Sequence, residues 1–195
     1  HLCDRRQRQM CIRDRLETIV SVNYVAPYML TRQLLPLMQP GCRIVNTVSC
    51  TYAIGRIEPD FFEKGRNGRF FRIPVYSNTK LALLLFTQEF AERLQDKDIT
   101  INASDPGIVS TNMITMQAWF DPLTDILFRP FIKTPAQGAA TAIHLALSDE
   151  AKDRNGCCYA NCKKRNVSER IRHHAQQKQL WDDTEILLRQ KGIRF

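Results

Sequence analysis

The stretch Tyr76-Ser77-Asn78-Thr79-Lys80-Leu81-Ala82-Leu83-Leu84-Leu85-Phe86 reads as the head of a buried helix. Tyr76 and Lys80 are four apart, so on an α-helix they share a face, roughly 6 Å apart along the axis. An ammonium beside a phenol favours the phenolate. Such a phenol can act as a general acid or base near neutral pH. The same spacing also describes a surface lysine laid against an exposed tyrosine. The helical pattern runs over 75–95, with Leu83, Phe86, Phe90 and Leu94 in one stripe and Leu81, Leu84 and Leu85 widening it. A helix apolar nearly all round is buried on more than one side. A subunit interface and a central place in one large core both meet that demand.

Working outward, Arg43-Ile44-Val45-Asn46-Thr47-Val48 is a β-branched run that predicts a buried strand, closed by Ser49-Cys50-Thr51. Ile99-Thr100-Ile101-Asn102-Ala103-Ser104 predicts a second, closed by Asp105-Pro106-Gly107. Before the first strand, apolar residues from Leu16 to Met38 recur at three and four, which predicts a helix over 16–39. Asn23 lies on its apolar stripe, where a polar side chain needs partners. Pro27 has no N–H for the carbonyl of residue 23, so the helix should kink there and leave that carbonyl to another donor. The alternative is a helix broken near Pro27 with Asn23 as a local cap. Phe61, Phe62, Phe70 and Phe71 mark the loop over 53–73 as packed. Trp119, Phe120, Leu127, Phe128 and Phe131 suggest a greasy, irregular lid. Thr134 and Pro135 open a third helix to about Leu147, as N-cap and first residue. A short strand over 156–162 and a closing helix over 166–190 follow.

Helices alternating with strands predict an α/β fold with a parallel sheet covered by helices. In such sheets ligands sit at the carboxyl ends of the strands. Ser49, Asp105-Pro106-Gly107, Tyr76 and Lys80 can therefore converge on one site.

Composition excludes several classes. The 195 residues are 44% hydrophobic and 25% charged, as in an ordinary globular protein. No apolar run is long enough to span a bilayer. The net charge is +8, which suits an acidic partner or a phosphate-bearing cofactor. Residues 1–15 carry five Arg against Asp4 and Asp14, a net of +3, and leave +5 for the rest. Gln9 to Arg15 resembles translated sequencing-adapter sequence. Residues 1–15 are therefore expected to be a non-native leader and 16–195 the single domain, against the alternative of a basic arm. Lys163, Lys164, Arg165, Arg170 and Arg172 form a second basic cluster. It is expected to be a solvated helix start, since no aromatics interleave with it as nucleic-acid binding prefers. The seven cysteines are scattered and odd in number, which points to a reducing, cytoplasmic setting. Cys157, Cys158, Cys162, His173 and His174 lack paired C-x-x-C spacing, so buried strand cysteines and two surface histidines are expected rather than a metal site.

The ordered set Asn23, Ser49, Tyr76-x-x-x-Lys80 and Pro106-Gly107-Ile108-Val109-Ser110-Thr111 resembles the short-chain dehydrogenases/reductases over about residues 16–190. The long gap from Ser49 to Tyr76 and the segment Phe131-Ile132-Lys133-Thr134-Pro135 further resemble its retinol-dehydrogenase-like members. The resemblance implies a Rossmann-type doubly wound parallel sheet and hydride transfer between a nicotinamide cofactor and an alcohol or carbonyl. It implies Tyr76 as proton carrier, with Lys80 lowering its pKa and holding the nicotinamide ribose. Ser49 would bind the substrate oxygen, and Asn23 would place a water next to Lys80. Pro106, Gly107, Val109 and Thr111 would line the nicotinamide. NADP is favoured, with NAD as the alternative. A homo-oligomer through the Tyr76 helix is implied, and an apolar substrate is mildly favoured by the lid. Two features depart from the pattern. Asp105 stands where the subgroup usually has His, which alters the site near the nicotinamide. The eight glycines form no G-x-G-x-x-G loop, so the amino-terminal half of the fold is missing from these residues. Weak or absent activity of the chain by itself is expected, with a bare sheet edge. The rival expectation is a non-catalytic basic binding or interaction half-domain.

Overall fold

The computed structural model describes residues 18–63, 72–109, 133–193 and 195. The expected leader over 1–15, the lid from Trp119 to Phe131, Phe70, Phe71 and Thr111 lie outside these residues.

Helix α1 comprises Thr18–Val20, the π-helical Ser21–Val25 and Ala26–Leu34, and ends in the 3-10 turn Leu35–Leu37. The chain meets Pro27 by widening one turn rather than breaking: the Ala26 N–H donates to the Ser21 carbonyl, five residues back. Val25 and Ala26 keep helical dihedrals through this turn, so Asn23 is no cap. Strand β1 is Cys42–Thr47, helix α2 is Arg72–Arg93 and strand β2 is Ile99–Asp105. Pro74 sits in the first turn of α2, where a missing N–H costs nothing. Helix α3 is Pro135–Leu147, opened by the expected cap: Thr134 and Gln137 each accept the other's backbone N–H.

Beyond α3 the chain departs from expectation. Strand β3 is only Cys158–Ala160, and it turns straight back into β4, Lys163–Lys164. Asn161 and Cys162 make the turn at φ 52° and 58°, the left-handed pair that a two-residue hairpin requires. Lys163, Lys164 and Arg165 of the basic cluster therefore lie on a hairpin arm, while Arg170 and Arg172 lie in the short helix that follows. The closing helix is split into α4, Glu169–Arg172, and α5, Gln177–Gln190. The start of α5 is pinned to α2: the Gln177 amide donates to Glu89 at 3.0 Å and to Glu92 at 3.2 Å.

The sheet order is β1-β2-β3-β4, with β1, β2 and β3 parallel and β4 antiparallel. Alternate residues of β1 face opposite layers. Asn46 donates to Thr87 of α2 at 2.9 Å, while Val45 packs with Leu145 of α3. Helices thus cover both faces, as the doubly wound fold requires. β2, between two parallel strands, is buried almost throughout. Leu81 to Phe86 are all buried against the chain's own elements, so a central place in one core accounts for their apolarity. Tyr24, Phe61, Phe86, Phe90 and Trp181 extend that core. The outer edge of β1 has no strand partner among the described residues. Beside it a groove of about 790 Å³ runs under α1, lined by Val22, Leu30 and Leu34 and, at its polar end, by Asn23, Thr47 and Lys80.

Candidate active site

The parallel pairing Thr47↔Ser104 brings the exits of β1 and β2 side by side. Ser49 follows β1 in extended conformation and caps the 3-10 turn Cys50–Ile54, its hydroxyl accepting the Thr51 N–H at 3.4 Å. That turn packs on α2 at Gly55, where a Cβ would lie 2.5 Å from the Ser77 carbonyl oxygen. Only glycine lets the Ser49 turn approach the first turns of α2 this closely. The approach brings the Ser49 hydroxyl next to the Tyr76 phenol, close enough to pull its pKa down.

Lys80 lies one turn below Tyr76. Its Nζ donates to the Thr47 carbonyl at 2.9 Å and stands 5.5 Å from the centre of the Tyr76 ring. Asn23 reaches the same helix from the widened turn of α1. Its amide donates to the Thr79 hydroxyl at 3.3 Å, and that hydroxyl donates to the Tyr76 carbonyl at 2.7 Å. The structure therefore brings Asn23, Ser49, Tyr76 and Lys80 together, with Thr47 and Thr79 as links that spacing alone did not reveal.

The electrostatics differ from the sequence expectation in one respect. Burial raises the Tyr76 phenol above its ordinary value; the neighbouring Ser49 hydroxyl pulls it down, while Cys50 and Asp105 push it up. Lys80 is not among the causes. Its ammonium faces the ring and the Thr47 carbonyl, and burial lowers its own pKa. Tyr76 is 36% exposed, so its hydroxyl remains reachable. The arrangement is a protonated phenol beside a hydroxyl, suited to donating hydrogen bonds to one substrate oxygen.

The exit of β2 is built differently. Gly107 takes φ +77°, a left-handed conformation that favours glycine. Its N–H donates to one Asp105 carboxylate oxygen at 3.0 Å, and the other oxygen accepts from Arg165 at 2.7 Å. Lys133 donates to the Pro106 carbonyl at 2.8 Å and to the Asn161 side chain at 2.6 Å. Val109 forms a bridge with Lys133 and packs on Gly138 of α3, where a Cβ would lie 2.5 Å from Val109 Cγ2. Pro106, Gly107 and Val109 thus follow the exit of β2, the strand paired with β1. Beneath them, the Tyr52 hydroxyl and the Cys158 thiol lie side by side. Burial, chiefly, pushes that thiol up to about 11 and Tyr52 up to about 12.

Arg165, Lys133 and Asn161 escaped the sequence reading because their partners lie on other elements. The signal that could have found Arg165 is a carboxylate, Asp105, closing a buried strand and needing a cation. Arg165 and Arg170 are engaged inside the molecule, Arg170 donating to the Ala53 and Gly55 carbonyls at 3.1 and 3.4 Å. Arg172 pairs with Glu169 at 2.6 Å. Lys163 and Lys164 form an exposed pair on β4. Cys158 is buried, and Cys157 and Cys162 are partly so. Among the described residues no group of three or more His, Cys, Asp or Glu is arranged to hold a metal ion.

Comparison with known proteins adds three findings. A family model described as Enoyl-(Acyl carrier protein) reductase matches residues 7–156. Retinol dehydrogenase 12 of Mus musculus is 35% identical over 184 residues, 93% of this chain and 56% of the relative. The chain thus spans about half the length of the curated relatives it matches. Among solved structures, an uncharacterized protein from Mycobacterium paratuberculosis superposes with TM-score 0.67 at 23% identity, over 89% of this chain and 59% of that one. A blue fluorescent protein from a metagenomic library, in complex with NADPH, gives TM-score 0.55 at 26% identity over 72% of this chain and 52% of its own.

Proposed function

The chain belongs to the short-chain dehydrogenase/reductase family, and on that premise we propose that it carries the acid–base half of an NADP(H)-dependent alcohol/carbonyl oxidoreductase. The observation that carries this reading is the Tyr76 phenol standing beside Ser49 at the exit of β1, with Lys80 one turn below. The residues fit a nicotinamide nucleoside. Lys80 has three N–H groups and gives one to Thr47. It opens with Asn23 and Thr47 onto the polar end of the groove beside β1, where a ribose diol finds donors and acceptors. Tyr76, Lys80, Pro106, Gly107 and Val109 are the described residues that would hold it, with Thr111 following in sequence. When bound, a reduced nicotinamide supplies a hydride to the carbonyl carbon.

The remaining chemistry belongs to the chain. Ser49 and Tyr76 offer adjacent hydroxyls to one substrate oxygen. Ser49 holds that oxygen by hydrogen bond, and Tyr76 transfers its proton as the carbon–oxygen double bond becomes an alcohol. The reverse reaction returns the proton to Tyr76. The raised phenol pKa keeps Tyr76 protonated at neutral pH, which favours the reductive direction. Lys80 stays tied to the Thr47 carbonyl and the Tyr76 ring, with N–H groups to spare for the ribose. Asn23 fixes the helix turn under Tyr76 through Thr79. NADP is preferred over NAD because the metagenomic relative holds NADPH. An apolar alcohol or aldehyde fits the name of the mouse relative. The 195 residues contain no glycine-rich phosphate loop, so by themselves they bind cofactor weakly.

The test expresses the complete open reading frame that contains these residues and follows NADPH consumption with a panel of aliphatic and polyene aldehydes. Turnover that disappears in Tyr76→Phe supports the reading. No turnover with any aldehyde or ketone, or an unimpaired Tyr76→Phe, sinks it.

A further inference from the structure

We infer that Asp105 and Arg165 are positioning residues, a clamp by which the β3–β4 hairpin holds the Pro106-Gly107 turn at the exit of β2. The inference deepens the function proposed above, since that turn lies where the nicotinamide is expected.

The carboxylate of Asp105 is almost fully buried, and both of its oxygens are used. One accepts the Gly107 N–H at 3.0 Å and the other accepts from Arg165 at 2.7 Å. Gly107 is the residue in left-handed conformation, so the side chain two positions upstream holds the turn in shape. Arg165 leaves the hairpin immediately after β4, its own N–H fixed on the Cys158 carbonyl at 2.8 Å. The second tie is independent. Lys133 spans the Pro106 carbonyl and Asn161 at the hairpin tip. Residues 105–107 are thus bound to the two ends of one hairpin, at 161 and at 165.

Arg165 also reaches the other strand exit. Its guanidinium lies 5.9 Å from the centre of the Tyr52 ring, in the 3-10 turn that Ser49 caps. One arginine therefore contacts the turn that carries Ser49 and orients the carboxylate that shapes the Gly107 turn. A pair serving stability alone could be exchanged for apolar side chains at little cost. Asp105 is not exchangeable in that way, because no apolar side chain accepts the Gly107 N–H. The neutral amide of asparagine would.

The test uses the complete open reading frame and three variants. Arg165→Met leaves the carboxylate buried without its cation. Asp105→Asn/Arg165→Met removes both charges and keeps an acceptor for Gly107. Asp105→Leu/Arg165→Met removes both charges and the acceptor. The readouts are KM for NADPH, kcat with one aldehyde, and amide hydrogen exchange at Gly107. Arg165→Met is expected to raise KM about tenfold with kcat changed less than about threefold, and to speed Gly107 exchange about 100-fold. The Asn/Met double variant recovers most of both effects, and the Leu/Met double variant does not. Equal KM and equal exchange in the two double variants overturn the inference, as does an Arg165→Met protein indistinguishable from the parent. If Arg165→Met does not fold, the comparison of the two double variants decides. If no form turns over NADPH, the proposed function fails, and Gly107 exchange still decides the clamp.

Discussion

The two strand exits that frame the site are held by different chemistry. After β1, the site around Tyr76 and Ser49 is set by close backbone packing and by hydrogen bonds with no carboxylate in them: Ser49 on Thr51, Asn23 on Thr79, Arg170 on the Ala53 and Gly55 carbonyls, and Gly55 against the Ser77 carbonyl. After β2, the Pro106-Gly107 turn is set by charge, through Asp105–Arg165 and Lys133. A proton-transfer centre needs a phenol whose pKa answers to its neighbours, and a strong charge against it would fix its state. The turn needs only to be held still, and a buried carboxylate paired with a half-exposed arginine does that at short range. The separation is incomplete, since Asp105 still raises the Tyr76 phenol slightly.

The sharpest way to break the comparison is Tyr76→Phe. Activity of the complete protein should fall by roughly 10²- to 10⁴-fold, while its unfolding free energy falls by no more than about 1 kcal/mol. A large loss of stability instead would make Tyr76 a packing residue. The second test sets one glycine against another. Gly55→Ala drives a methyl group onto the Ser77 backbone carbonyl and should cost about 3 kcal/mol in urea unfolding. Gly138→Ala meets the side chain of Val109, which can shift, and should cost about 1 kcal/mol. A reversed order would show that the β2 exit, not the β1 exit, is the tightly packed one.

Two pH effects are smaller. Tyr52 has its pKa raised by burial to about 12 in the fold, against an ordinary value of about 10 when unfolded. The stability it contributes is complete below pH 10 and is lost as pH rises toward 12. Tyr52→Phe should flatten that alkaline loss in unfolding experiments, and an unchanged profile would contradict the burial. For catalysis, a Tyr76 phenol raised above its ordinary value predicts carbonyl reduction nearly independent of pH through neutrality. Alcohol oxidation, which needs the phenolate, should climb with pH. Reduction that falls between pH 7 and 9 would mean a phenol already ionising there.

Much of the fold was legible because hydrophobic period and punctuation are local. The runs Arg43–Val48 and Ile99–Ser104 gave strands within a residue or so of those observed, and Thr134-Pro135 marked the start of α3 correctly. The hairpin after β3 was missed. Its turn is Asn161-Cys162, without glycine, and β4 is a two-residue lysine strand that carries no apolar alternation. The split in the last helix was missed because Gln177 turns in to reach Glu89 and Glu92, a contact between distant elements. At Pro27 the missing N–H was read correctly, but a π-turn, not a break, absorbed it.

The sequence by itself determined the alternation of helices and strands, and its resemblance to a family singled out the set Asn23, Ser49, Tyr76, Lys80. Helix period places Tyr76 over Lys80, and strand ends place Ser49 and Pro106-Gly107. Tertiary structure alone decided which way the charges point. Lys80 turns to the Thr47 carbonyl and the Tyr76 ring, burial raises the phenol, and Arg165 finds Asp105 across 60 residues of chain. Desolvation and ion pairing depend on what lies within a few ångström in space, and neither is encoded in spacing along the chain.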